Sequence, residues 1–479
     1  MAEDETEVKG IKCPECGQEP YTPDIQYCRP CSSEHFRDNF AHWTSGDSNI
    51  DKLIQNSQLD ALFDEDFIEW IEYSNLENIE FVANGGFGSV YKAIWKDGPI
   101  IDNIYPWNID KSEWIRDNRK EVVIKKFLNA TSVSLEFLSE IENNMKLSFA
   151  YCVKIYGLTR DPQSGEYAIV AEFRNGGNLR EVIKKNHSIL NWKLIIQMLA
   201  DICVGLDFIH QESNYCHKDF HTGNILNKVY DEGYRFITPV ISDFGLSCPA
   251  NQSPEDKVLY GVLPFVAPEV LRGGEFTIAA DIYGFGMLMS EIISGEAPFI
   301  GRDYDLYLAL DICKGERPQI PEYTPEPYST LMKRCWDPIP TNRPTARILL
   351  KLFSDLNSIM KISSDKPFEL WSRFEDLNDI MSGSLDDKEN DPLAIKQEIE
   401  KVFNQEREDK WKVQLAELTT NPHPLKKSQN LLTSKRLDYS KHLTRQFETN
   451  DDDAYHPKTP KETNEIFYKL TEELEELQI

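Results

Sequence analysis

His217-Lys218-Asp219-Phe220-His221-Thr222-Gly223-Asn224 lies near the middle of the 479-residue chain. Downstream of it stand Asp243-Phe244-Gly245 and then Ala267-Pro268-Glu269. Upstream, Val122-Val123-Ile124-Lys125 is a β-branched run that ends in a lysine. Glu140 follows in a helix-compatible stretch, and Asn84-Gly85-Gly86-Phe87-Gly88-Ser89-Val90 is a glycine turn between two strand-like runs. Each segment is short enough to arise by chance. All of them in this order, at these separations, are not chance.

Glycines let backbone N–H groups approach phosphate oxygens with no Cβ in the way, although Ala83 stands where a further spaced glycine would be expected. A lysine closing a strand reaches α- and β-phosphates if a carboxylate holds it, and Glu140 is the natural holder. Together the segments supply the parts that phosphoryl transfer from ATP requires. The region resembles a eukaryotic protein kinase domain.

That resemblance implies an α+β, bilobal protein kinase fold, with a small β-rich N-lobe and a large helical C-lobe. It implies that Lys125 pairs with ATP phosphates and with Glu140, that Asp219 accepts or orients the substrate hydroxyl, and that Asn224 and Asp243 hold Mg2+. Val82, Ala83, Gly85, Gly86, Phe87, Gly88, Val90 and Val123 would line the ATP site beside Lys125. Backbone groups of Glu172 and Arg174 would read the adenine edge, with Ala171 as an unusually small gatekeeper. Asp281 resembles the aspartate that caps the catalytic-loop backbone, and Glu269 with Arg343 the buried pair that ties down the activation segment.

His221 stands where serine/threonine members usually carry lysine, and Gly261-Val262-Leu263-Pro264-Phe265 replaces their Gly-Thr. The typical tyrosine-kinase signature residues are also missing. The nearest resemblance is to tyrosine-kinase-like kinases, which implies transfer to Ser/Thr in preference to Tyr. Lys218 replaces the usual arginine and grips a phosphate less well, so weak dependence on activation-segment phosphorylation is expected, with Ser247, Ser253 and Tyr260 as candidate phosphosites.

Cys13, Cys16, Cys28 and Cys31 form C-x2-C-x11-C-x2-C, and the other six cysteines are scattered singly. Two C-x-x-C turns complete a tetrahedral thiolate site, so structural Zn2+ in a ribbon-like module is expected. Phe36, Phe40 and Trp43 continue as a helical stripe, and Asp47 or Ser48 is placed to cap the next helix, with Ile50, Leu53, Ile54 and Leu59 as its apolar face. This connector reads as a packing brace.

The composition, 40% hydrophobic and 11% aromatic, allows a sizeable core. The net charge of −28 is concentrated in the flanks, with residues 1–80 at −14 and residues 365–479 at −9. Such a surface disfavours nucleic acid. No apolar run is long enough for a membrane span, and the acidic start is no signal peptide, so an intracellular, cytoplasmic protein is expected. The expected organisation is a disordered 1–10, a zinc-ribbon-like module at 11–35, a helical connector at 36–75, the kinase domain at 76–362 and an acidic, partly helical and partly disordered tail at 363–479. The stretch 96–120 reads as a surface insertion, and 393–418 and 464–478 as helical.

The ribbon, the connector with Trp43-Thr44-Ser45-Gly46, and the kinase with Tyr260-Gly261-Val262-Leu263-Pro264-Phe265 resemble an expanded group of fungal tyrosine-kinase-like kinases from mycorrhizal symbionts. Leu432-Thr433-Ser434-Lys435-Arg436-Leu437 is similar to a segment near their C-termini. The expected partners are protein substrates, and regulatory proteins docking on the N-terminal module or tail. Two other readings are open: a pseudokinase scaffold that binds without turnover, and an interaction adaptor built on the flanks.

Overall fold

The consecutive Val122, Val123 and Ile124 within 120–127 make a strand with apolar residues on both faces, and a sheet grows around it. The computed structural model describes residues 12–19, 28–61, 67–84, 88–100, 107–127, 135–147, 150–230, 236–250, 259–361, 397, 399–423 and 432–437. Strands β1 (Glu69–Trp70), β2 (Leu76–Asn84), β3 (Gly88–Trp95), β6 (Lys120–Phe127), β7 (Ile155–Arg160) and β8 (Tyr167–Glu172) form one sheet in the order β1-β7-β8-β6-β3-β2. Only β1 and β7 run parallel; the other pairs are antiparallel.

Period-two alternation gives this sheet two separate apolar faces. One carries Trp95, Val122, Ile124, Ala168 and Val170. On the other, Phe127, Leu158, Tyr167 and Ile169 pack against two helices, α2 (Ser48–Asp60) through Ile50 and Ile54 and α3 (Leu135–Lys146) through Phe137 and Ile141. Asp47 caps α2, its carboxylate accepting from the Asn49 and Ile50 N–H groups.

The preceding helix, α1 (Arg29–Asn39), starts at the second cysteine pair and leans on α2. The expected connector therefore braces the same face of the sheet as α3 and joins the cysteine module to it. The insertion between β3 and β6 holds a small hairpin, β4 (Trp107–Asn108) and β5 (Glu113–Trp114). It is no bare surface loop, because Trp107 stacks on His35 at 3.9 Å between ring centres and Trp114 on Phe36 at 4.5 Å.

Below the sheet lies the helical layer. It contains β9 (Gly177–Asn178), α4 (Leu179–Lys185), α5 (Trp192–Asp207), β10 (Tyr215–Cys216), β11 (Ile225–Tyr230), β12 (Phe236–Ile241), β13 (Cys248–Pro249) and β14 (Tyr260–Gly261). After these come α6 (Pro268–Leu271), α7 (Ile278–Ser294), α8 (Leu306–Cys313), α9 (Glu326–Cys335) and α10 (Ala346–Lys361). Helix α7 is apolar on all sides because it runs through the core, with Ile282, Phe285, Leu288 and Met289 all buried. Among the described residues, no helix is long and apolar enough to cross a membrane.

The tail carries its described helix largely within the expected 393–418 stretch. Its described part closes the helical layer. Helix α11 (Gln405–Thr420) buries Trp411 completely, stacked on Trp192 at 4.9 Å and 10° between ring planes, with its indole N–H donating to the Ile292 carbonyl at 3.2 Å. Glu408 accepts from the Trp192 N–H at 3.0 Å, satisfying a donor that the first turn of α5 leaves open. Farther on, β15 (Lys435–Arg436) pairs antiparallel with β14. The expectations for 1–10 and 464–478 fall outside the described residues.

Candidate active site

Lys125 shares a sheet face with Val123 because the side-chain period of a strand is two. Directly opposed antiparallel residues also share a face, so the pairs Val90↔Lys125 and Val123↔Ala171 place Val90, Val123, Lys125 and Ala171 together. These side chains are half-buried. They line the side of the sheet where α3 ends and the cleft begins. Ala83 lies opposite Val90, and Val82 is largely exposed. Gly88 marks a close approach, since a Cβ there would lie 1.9 Å from the Lys126 carbonyl oxygen. Gly85, Gly86 and Phe87 are outside the described residues.

Lys125 Nζ donates to Glu140 Oε1 at 2.6 Å and to Asp243 Oδ1 at 3.0 Å. Burial alone would lower the lysine pKa, but the two carboxylates outweigh it and hold the ammonium charged. Burial pushes the Glu140 carboxyl above its ordinary range, while Lys125 pulls it back. Asp243 sits in the left-handed region at φ +67°, an uncommon backbone state for a non-glycine residue. Asn143, one turn after Glu140, donates to the carbonyls of Phe244 (3.1 Å) and Ser247 (2.8 Å). Helix α3 is thus fastened to the Asp243 segment at two points.

The loop 217–224 is held from beneath. Asp281 accepts from the N–H groups of His217 (2.8 Å) and Lys218 (3.0 Å) and from His210 Nε2 (2.9 Å). Thr222 donates to Glu291 at 2.6 Å, and Glu291 is also paired with Arg180. Asn224 Nδ2 donates to the Asp219 carbonyl (2.9 Å) and to Asp219 Oδ2 (3.1 Å), which leaves its amide oxygen as the atom it offers. Arg343 forks onto Glu269 at 2.7 and 2.8 Å.

Asp219 is buried, which by itself raises a carboxyl pKa. The His221 ring beside it and the hydrogen bond from Ser434 outweigh that and lower it to about 2. Asp219 is therefore ionised at neutral pH. Ser434, from the tail, donates its hydroxyl proton to Asp219 Oδ2 in a short hydrogen bond.

The structure thus gathers Lys125, Glu140, Asp219, Asn224 and Asp243 around one cleft. Glu172 closes β8 with its N–H on the Lys154 carbonyl (2.9 Å), and Arg174 follows it, its guanidinium on the Glu172 carboxylate at 2.6 Å. Among the candidate phosphosites, Ser247 needs correcting. It is buried and its hydroxyl donates to the His217 carbonyl at 3.3 Å, so it is not open to modification. Ser253 is outside the described residues. Asn143, Arg180 and Glu291 carried no signal that a motif reading could use, and Ser434 stood only in a tail segment noted for its resemblance, with no site role attached.

The four N-terminal cysteines converge separately. Their sulfurs all lie within 4.8 Å of one another, and the pair Cys16–Cys28 is 3.3 Å apart. The first pair lies in a tight turn closed by the Gly17 N–H on the Cys13 carbonyl, and the second opens α1. All ten cysteines are free thiols.

A family model described as "Protein tyrosine and serine/threonine kinase" matches residues 76–353, more than half of the chain. A probable serine/threonine-protein kinase of Dictyostelium discoideum is 32% identical over 227 residues, 46% of this chain and 12% of that protein. A second one from the same organism is 29% identical over 287 residues, 59% and 16% of the two chains. Mitogen-activated protein kinase kinase kinase 10 of Xenopus laevis is 25% identical over 332 residues, 64% and 30%. The chain spans less than a third of the length of each of these relatives.

Proposed function

The chain belongs to the protein tyrosine and serine/threonine kinase family, and on that premise we propose that it transfers the γ-phosphoryl group of ATP to serine or threonine hydroxyls of proteins. One observation carries the reading: Lys125 bridges Glu140 and Asp243 in the cleft that also holds Asp219 and Asn224. Bound Mg2+ would supply charge neutralisation on the phosphates, and the Asp243 carboxylate with the Asn224 amide oxygen is the hard-oxygen donor set it takes. Lys125 is held charged to meet phosphate oxygens. Asp219, ionised and fixed by Asn224, orients the acceptor hydroxyl and takes its proton at Oδ2.

Radiolabelled ATP and a mixed protein acceptor, followed by phosphoamino-acid analysis, test this reading. Phosphoserine and phosphothreonine are expected; phosphotyrosine alone would overturn the assignment of acceptor. The finer placement, a tyrosine-kinase-like enzyme of the expanded fungal group acting in the cytoplasm, rests on the motifs quoted above. So does a regulatory role for protein partners at the N-terminal module or tail.

The half-buried Ala171 side chain faces the cleft side of the sheet, so bulky-substituted ATP-site inhibitors should find room behind it. Ala171→Met is expected to raise their half-inhibitory concentration about tenfold or more, since burying the added side chain forces overlap of ~1–3 kcal/mol. Unchanged inhibition would show that Ala171 does not face the inhibitor.

The cysteine cluster fits zinc, because tetrahedral Zn–S bonds of about 2.3 Å set sulfurs roughly 3.8 Å apart, within the observed spread. We assign Cys13, Cys16, Cys28 and Cys31 as ligands of one structural Zn2+. Elemental analysis of the purified chain is expected to give one zinc per molecule, and the double variant Cys13→Ser, Cys28→Ser none. Equal metal in both would remove the assignment.

A further inference from the structure

The proposed function leaves one contact unused. Residues 432–437 of the tail lie across the mouth of the site, with a serine hydroxyl on the carboxylate that should receive an acceptor's proton. We propose that Ser434 is this kinase's own phosphoacceptor, presented in cis by a tail segment that fills the protein-substrate position. This deepens the reading above and rests on it.

Four features place the segment as a substrate. Its backbone pairs with the activation segment, Arg436 opposite Tyr260 and Lys435 opposite Gly261. The Leu437 N–H extends the pairing, donating to the Leu259 carbonyl at 2.7 Å. Gly261 adopts φ +144°, a backbone state that side chains rarely tolerate, just where the tail strand lies alongside. Leu437 is buried in the core of the helical layer, and Leu432 packs against that core, so the serine is clamped from both sides.

The polar end is equally specific. His221 Nδ1 accepts from the Gly223 N–H at 3.0 Å, so the neutral ring carries its proton on Nε2, which points at Ser434 Oγ at 3.3 Å. Ser434 Oγ therefore receives from His221 and donates to Asp219. His221, the departure from the usual lysine, gains a role here as a positioning residue for the hydroxyl.

In the step itself, Ser434 Oγ forms a bond to the γ-phosphorus of ATP while the bond from that phosphorus to the β,γ-bridging oxygen breaks. The electron pair leaves with ADP, and the hydroxyl proton passes to Asp219 and from it to solvent, which returns the carboxylate to its ionised form. The product carries close to two negative charges beside an ionised aspartate in a buried site, so the segment is expelled. Expulsion frees the edge of β14 for other substrates. Those substrates should share the pattern that fits: a serine with a leucine three residues after it.

The test uses the full chain, treated with phosphatase and then given Mg-ATP, with casein present as an external acceptor. Phosphate on Ser434 is followed by mass spectrometry. The proposal expects Ser434 to be modified with a first-order rate constant that does not change with protein concentration. Ser434→Ala should lose that label and keep casein phosphorylation depressed, because the plug remains. Leu437→Glu should lose Ser434 labelling and raise casein phosphorylation. If Leu437→Glu fails to melt cooperatively, the wild type and Ser434→Ala still decide the matter. Casein labelled with Ser434 unmodified would overturn the inference and leave the kinase reading intact. A rate proportional to concentration would mean delivery by a second copy and would overturn the intramolecular assignment. No transfer to either acceptor, with no thermal upshift by Mg-ATP, would remove the kinase reading and this proposal together.

Discussion

Asp219→Asn is expected to lower phosphoryl transfer about 10²–10⁴-fold, the usual share of a positioned proton acceptor. The substitution keeps the shape of the side chain, and an amide oxygen can still accept from Asn224 Nδ2 at the present 3.1 Å. It cannot take the acceptor's proton. Lys125, Glu140 and Asp243 hold one another and keep their charges, so Mg-nucleotide should still raise the melting temperature as in the wild type. Removing a buried charge also leaves no unpaired ion behind. The measurement pairs initial rates of label transfer with melting curves in nucleotide. Activity within threefold of wild type would show that Asp219 does not handle the proton.

Trp411→Ala is expected to destabilise the helical layer by about 3–5 kcal/mol, the range for emptying a fully buried aromatic site. The change deletes the stack on Trp192 and the indole N–H bond to the Ile292 carbonyl. It leaves that carbonyl buried without its partner, which adds to the loss. Loosening α11 also withdraws Glu408 from the Trp192 N–H at the start of α5. Chemical denaturation followed by tryptophan fluorescence would read the change as a lower midpoint. A loss below about 1 kcal/mol would mean the tail helix rests on the lobe without supporting it, since surface changes are of that size.

These two residues mark the two limits of what the amino-acid order discloses. Asp219 and Asn224 stood inside one motif, and Lys125, Glu140 and Asp243 stood in or beside others. Motif spacing encodes a cleft because each side chain is tied to a fixed backbone feature: the end of a strand, one turn of a helix, a capped loop. The Asp281 fork and the Glu269–Arg343 pair were readable for the same reason. Trp411 gave no such cue. It lies in the charged run Gln405-Glu406-Arg407-Glu408-Asp409-Lys410-Trp411-Lys412, within a stretch legible only as helical. Periodicity reports which residues share a face of their own helix and says nothing of the element that will cover it. The packing of the surface insertion was hidden in the same way, because the partners of Trp107 and Trp114 are His35 and Phe36, some seventy residues upstream. Ser434 is the extreme case, since its meaning arises wholly from a contact with Asp219, 215 positions earlier in the chain.

The most direct test compares the wild type with Lys125→Met and Asp243→Asn, supplying γ-labelled ATP and magnesium and following label on the chain itself and on casein. With all three proteins folded by their melting curves, the wild type should transfer label steadily. Each variant should fall about 10²-fold or more, because each removes charge that meets the phosphates in transit. A folded wild type that transfers nothing, or variants that keep pace with it, would contradict the convergence of these side chains on one magnesium–nucleotide site.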